Sequence, residues 1–238
     1  MVDVNARTRD KRIEDRKRSA AEAAVAEIGP GMMVGLGTGT TAAFAIDALA
    51  RRVRGGLRCQ AVATSQQTAD RAMNAGIQLM NLEEVAEIDL CIDGVDEIDA
   101  HLRAIKGAGG AMLREKIVAS AARRMIAIAD TSKAVSKLGA CPVPVELLPL
   151  ARAFVEWQLA LLDCTPVLRC NVRGAPVRTD QDNLIFDCHF AVLDDPVPLA
   201  RRLSAIPGVI GHGLFLSEID ALYLGTANGV VRTERPII

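Results

Sequence analysis

The chain predicts an α/β fold: a Rossmann-like three-layer domain with a mostly parallel sheet, plus a smaller ferredoxin-like α+β domain. Three observations carry this. Short apolar runs alternate with helix-length segments over residues 32–129, the order that makes strands pair in parallel. Polar clusters follow four of these runs or close beside them, at residues 37–40, 64–65, 93–99 and 130–133; ligands of open α/β sheets gather at such strand carboxyl ends. After Pro142 the pattern becomes β-α-β-β-α-β, the ferredoxin-like order.

Each element has its own warrant. Residues 32–36 are apolar and run into glycines, a strand feeding a turn. Over residues 42–54, Phe44, Ala45, Ala48, Leu49 and Val53 share one helical face. Residues 61–63 read as a strand ending at Thr64. Ser65 caps the next helix, which runs through Ala75 and stops at Gly76. Residues 77–80, 90–92 and 125–129 read as further strands, with a helix over 111–124 between the last two. In the second domain, 143–146 is a strand and 148–162 a helix. Residues 167–172 and 184–190 pair as strands, with Gly174 and Asp180-Gln181-Asp182 in the connection. A helix over 199–206 and a strand over 209–215 complete it, and 221–224 returns to the first sheet. The expected domains are residues 1–141 with 216–238, and residues 142–215.

Composition narrows the function classes. Half of the 238 residues are hydrophobic and only 3% are aromatic. Few aromatics leave little stacking surface for single-stranded nucleic acid, and a formal charge of −1 gives no general attraction to polyanions. No apolar run reaches the length of a membrane span. The charged segment at residues 7–18 reads as a solvated lead-in to a helix, with no signal-peptide pattern behind it. Six cysteines without C-x-x-C spacing fit reduced thiols in a cytoplasmic protein, and no zinc site is expected.

The chemistry concentrates in a few segments. Gly35-Leu36-Gly37-Thr38-Gly39-Thr40-Thr41-Ala42 links a strand to a helix. Glycines there let an anion approach the backbone, and a helix N-terminus offers N–H groups to it. No Gly-Lys-Ser/Thr follows, and Thr40 stands where a dinucleotide fingerprint has its third glycine. A single small phosphate or a ligand-free tight turn both fit. Asp93, Gly94, Val95, Asp96, Glu97 and Asp99 follow an apolar strand. The carboxylates there could orient substrate hydroxyls, stabilise a helix start, or take a divalent ion through oxygen ligands. Lys106-Gly107-Ala108-Gly109-Gly110 then precedes a helix that carries Glu115. A base that removes a proton beside a carbonyl forms an enediolate, and a nearby cation stabilises that oxyanion. Glu115 is the candidate base and Lys106 the candidate cation. Lys133 could reach a phosphate as a point charge or stand exposed at a helix start, and Lys17 presents the same choice.

Taken together, these segments resemble ribose-5-phosphate isomerase of the A type. The resemblance covers about residues 20–229 and adds Arg114-Glu115-Lys116, Asp130-Thr131-Ser132-Lys133, Pro142-Val143-Pro144-Val145-Glu146 and Ile206-Pro207-Gly208-Val209 to the segments above. It implies an aldose–ketose isomerase that interconverts ribose 5-phosphate and ribulose 5-phosphate without metal or organic cofactor. It implies that Glu115 shuttles the proton, and that Asp93, Asp96 and Lys106 hold the hydroxyls and carbonyl and assist ring opening. Thr38, Gly39, Thr40 and Thr41, with Lys133 and Lys17, would contact the substrate and its phosphate; Gly94, Val95, Gly107, Ala108 and Gly109 would line the substrate. A homodimer or homotetramer is implied. Thr40 stands for a frequent serine, Ala108 for a frequent glycine, and Thr179-Asp180-Gln181-Asp182-Asn183 varies a hairpin turn of the family. Two other classes stand beside this one. A sugar-phosphate-sensing domain could dispense with Glu115 and Lys106, which are both present. An acyl-CoA transferase-like enzyme would need room for a much larger ligand.

Overall fold

The computed structural model describes residues 4–190 and 193–236, with side chains from residue 10 onward. Those of residues 7–9, the start of the charged N-terminal segment, therefore lie outside the described set. The chain divides into two compact units. The first comprises the residues up to Gly94, Val118–Ala134, and those from Glu218 on. The second comprises Val95–Ile117 and Val135–Ser217.

The first unit is built on six strands: β1 (Met33–Leu36), β2 (Gln60–Ala63), β3 (Leu90–Gly94), β6 (Met125–Asp130), β12 (Ala221–Thr226) and β13 (Gly229–Glu234). Their order is β13-β12-β6-β3-β1-β2, parallel throughout except for the β12–β13 hairpin. Alternation along each strand assigns two faces. Val34, Leu36, Ile92, Ile126 and Ile128 share one core with α1 (Val4–Val25) and α2 (Thr40–Arg54). On the opposite face, Gly35 lies against Val118 from the end of α4 (Met112–Ala121): a Cβ on Gly35 would lie 2.5 Å from Val118 Cγ1 and 3.2 Å from Cys91 Cβ. A three-layer arrangement results. Ser65 caps α3 (Gln66–Asn74) by accepting from the Thr68 N–H, as its residue type leads one to expect.

The second unit holds β7 (Val143–Leu147), α5 (Arg152–Ala160), β8 (Cys164–Leu168), β9 (Leu184–Phe190), α6 (Pro196–Ser204) and β10 (Val209–His212). The antiparallel order β10-β7-β9-β8 is the ferredoxin-like one. Val143, Val145, Leu147, Phe186 and Cys188 form its core with Val155 and Leu159 of α5 and Leu203 of α6. A further small sheet, β11-β5-β4, joins β4 (Glu97–Ile98), β5 (Ala104–Ile105) and β11 (Leu214–Phe215).

Several elements differ from the sequence reading: the helix expected over 199–206 spans Pro196–Ser204, and the one expected over 111–124 ends at Ala121. Residues 77–80 form no strand: the segment bridges β2 only around Ala61, through Ala61 N–H to Gln78 O and Met80 N–H to Ala61 O. The helix expected over 148–162 begins as a 3-10 turn, Pro149–Ala151, and is α-helical only over Arg152–Ala160. The strand expected at 167–172 runs instead over Cys164–Leu168, with Pro166 tolerated inside it because β8 lies at the edge of its sheet. Residues 209–215 divide at Gly213 into β10 and β11, which belong to different sheets. A Cβ on Gly213 would lie 2.1 Å from Lys106 O, so the crossing requires glycine.

Candidate active site

In the first unit the anion-binding turn sits where β1 hands over to α2. Gly39 precedes the helix with φ of 106°, a left-handed conformation natural to glycine. Gly37 has a stricter reason: a Cβ there would lie 1.9 Å from Asp93 Oδ1. That oxygen accepts from the N–H groups of Thr38 (3.1 Å) and Gly94 (2.7 Å). Asp93, at the end of β3, is thereby fixed against the turn. Gly94 faces Thr41, whose Cβ would be 3.6 Å from an added methyl group.

The Thr38 hydroxyl sits among three others and donates to that of Ser65. It lies 2.8 Å from Thr64 Oγ1, 2.8 Å from Ser65 Oγ and 3.1 Å from Thr68 Oγ1. Thr64 and Thr68 also donate to the carbonyls of Leu36 and Gly37. Lys17 Nζ donates to Thr40 Oγ1 at 3.0 Å, which brings α1 to the helix start. Lys133 is half-buried in a turn rather than at a helix start; its N–H donates to Asp130 O, and Asp130 Oδ1 accepts from Ser132 N–H.

In the second unit Lys106 and Glu115 form a buried ion pair, with Nζ and Oε2 3.3 Å apart. Lys106 follows β5, and its N–H donates to Gly213 O. Its ammonium stands 5.5 Å from the Phe215 ring centroid, a favourable cation–π distance. Glu115 lies in the first turn of α4. Gly107, between them, has φ of 103°, and a Cβ there would lie 3.0 Å from Met112 Cβ. Asp96 Oδ2 accepts from the Ala108 N–H at 2.9 Å. Gly109 is exposed and Val95 buried. Arg114 and Lys116, neighbours of Glu115, face Asp180 and Phe215 respectively.

The acidic cluster thus divides by what its oxygens hold. Glu97 accepts from the N–H groups of Gly139 and Cys141. Asp99 accepts from His101 N–H and from Arg103 through backbone and guanidinium. Both are structural. Among the described residues, no group of three or more His, Cys, Asp or Glu is arranged to hold a metal ion. Sequence reasoning overlooked Thr68, Phe215 and Arg169. Arg169 donates to the carbonyls of Gly107 (3.0 Å) and Ala108 (3.1 Å), and no local spacing connects residues so far apart in the chain.

Residues 60–229 match the model of the family "Ribose 5-phosphate isomerase A (phosphoriboisomerase A)". A ribose-5-phosphate isomerase A of Roseiflexus castenholzii is 48% identical over 223 residues, which cover 92% of this chain and 95% of that protein. The solved structure of ribose 5-phosphate isomerase A from Methanocaldococcus jannaschii is 38% identical, with a TM-score of 0.89 over 93% of this chain and 99% of that one. A D-ribose-5-phosphate isomerase solved in complex with phospho-erythronic acid is 36% identical, with a TM-score of 0.90 over 94% of this chain and 99% of that one. The chain belongs to the ribose 5-phosphate isomerase A family and is an isomerase of that type.

Proposed function

We propose that Glu115 is the base of an aldose–ketose isomerisation that converts ribose 5-phosphate to ribulose 5-phosphate through an enediolate. The observation that carries this reading is the buried Lys106–Glu115 pair. A carboxylate removed from water needs a partner, and here the partner is also the cation an enediolate requires. Glu115 removes the proton from C2 of the open-chain aldose, the Lys106 ammonium stabilises the developing oxyanion on O1, the O2 hydroxyl proton passes to O1 in the enediolate, and the same carboxylate returns its proton to C1 as C2–O2 becomes the carbonyl.

Asp93 and Asp96 orient substrate hydroxyls and assist ring opening. Thr38, Gly39, Thr40 and Thr41 receive the phosphate at the α2 N-terminus, with Lys17 and Lys133 supplying positive charge. Gly94, Val95, Gly107, Ala108 and Gly109 complete the substrate contacts. No cofactor enters this scheme. The 290 Å³ cavity lined by Gly39, Thr40 and Thr68 gives room beside the phosphate turn. The reaction belongs to the non-oxidative pentose phosphate pathway.

The chain acts as a homodimer or homotetramer in the cytoplasm. Leu150, Phe154, Trp157 and Leu161 are exposed along residues 150–161, with Trp157 58% accessible; apolar side chains grouped in this way suit burial against a second copy. Six cysteines outside any disulfide suit a reducing compartment. A coupled assay of ketose formation from ribose 5-phosphate, with and without EDTA, tests the scheme. Turnover unaffected by the chelator is expected. Loss in EDTA and recovery with magnesium would replace the lysine by a metal as the oxyanion partner.

A further inference from the structure

We propose that Arg169, held by Asp187, is a positioning residue for Asp96, acting through the peptide that joins Gly107 to Ala108. The proposal rests on the reading above in which Asp96 acts on the substrate. The chain of contacts is short and lies wholly within the second unit. Arg169 follows β8, and Asp187 lies on the neighbouring β9. The guanidinium donates to Asp187 through Nε (2.8 Å) and Nη2 (2.5 Å). That fork-to-fork pair sets the plane of the group and aims Nη1 at the loop, where it donates to Gly107 O and Ala108 O.

A peptide unit is planar, with its C=O and N–H pointing in opposite directions. Fixing Gly107 O on one side therefore fixes the Ala108 N–H on the other, and that N–H donates to Asp96 Oδ2. The constraint is needed because Gly107 and Gly110 both have positive φ. Glycine crosses its allowed regions with little steric resistance, so this peptide could turn over without a clamp. Gly107 O also accepts from Gly110 N–H at 3.0 Å, which uses the second acceptor site of the same oxygen. A lysine at 169 could not repeat the arrangement, since it lacks a planar fork that serves a carboxylate and two carbonyls together.

The test uses the full chain with Arg169→Ala, Asp96→Ala and the two combined, scored by kcat and KM for ribose 5-phosphate. Arg169→Ala should lower kcat about 100-fold, the loss that a misplacement of about 1 Å brings. In the Asp96→Ala background the same change should lower kcat less than about threefold, because coupled sites are not additive. Guanidinium ion added to Arg169→Ala should restore part of kcat, and should restore nothing to Asp96→Ala. Arg169→Gln/Asp187→Asn removes both charges together, so it carries the test if Arg169→Ala fails to fold. A folded Arg169 variant with wild-type kcat, or a full 100-fold further loss in the Asp96→Ala background, would overturn the proposal. Inactive Asp96→Ala beside an active Arg169 variant would overturn this inference alone. Active Asp96→Ala would overturn the role of Asp96 and this inference with it.

Discussion

Lys106 Nζ lies 3.3 Å from Glu115 Oε2, with the two side chains only 2% and 4% exposed. Water cannot screen such a pair, so each charge depends on the other. Removing one partner of a buried pair costs about 3–5 kcal/mol. Lys106→Met should destabilise the fold by that amount in urea unfolding, and Lys106→Met/Glu115→Leu should recover most of it. A loss below about 1 kcal/mol for Lys106→Met would mean that the pair is solvated.

Gly37→Ala should impair the anion site directly. The added methyl group would meet the Asp93 carboxylate and push it from the Thr38 and Gly94 N–H groups. A loss of about 1–3 kcal/mol in stability follows from overpacking. KM for ribose 5-phosphate should rise, because both the turn and Asp93 move. An unchanged KM would separate the turn from substrate binding.

Thr38→Val keeps the shape and removes the hydroxyl at the centre of the Thr64, Ser65 and Thr68 group. Ser65 Oγ loses its donor, which should cost about 0.5–1.5 kcal/mol. Thermal unfolding would read the change. The accompanying loss of phosphate affinity should appear in titrations with ribose 5-phosphate on the Glu115→Gln background, where turnover does not interfere.

The first unit carries an alkaline sensitivity. Tyr223 on β12 donates to Glu27, and burial, followed by that carboxylate, pushes its phenol up to about 12. The folded state holds the proton more tightly than the unfolded chain, whose tyrosine titrates near 10. The contribution is complete below pH 10 and is lost as pH rises toward 12, at most about 2.7 kcal/mol. Tyr223→Phe should flatten the fall of stability across that window. An equally steep fall in the variant would assign it to other groups.

How much of this was legible in the sequence depended on whether the cause is local. The strand–turn–helix at residues 35–42 was readable because glycine and threonine chemistry acts within a few residues. The ferredoxin-like order was readable from the succession of apolar runs. The β11-β5-β4 sheet was not, since its strands are two residues long and show no period. Four carboxylates at 93–99 look alike in sequence. Only long-range partners such as Gly139 and Cys141 reveal that Glu97 is structural. Arg169 was hidden for the same reason, because its meaning lies in carbonyls of a distant loop.

The most direct test of the Glu115 assignment follows isomerisation in D2O by Glu115→Gln and by the unaltered chain. The unaltered chain should turn over and carry deuterium onto the sugar carbons beside the carbonyl. Glu115→Gln should bind ribose 5-phosphate within about tenfold, ~1.4 kcal/mol, yet neither isomerise nor exchange. Turnover and exchange in Glu115→Gln at close to the unaltered rate would contradict the assignment.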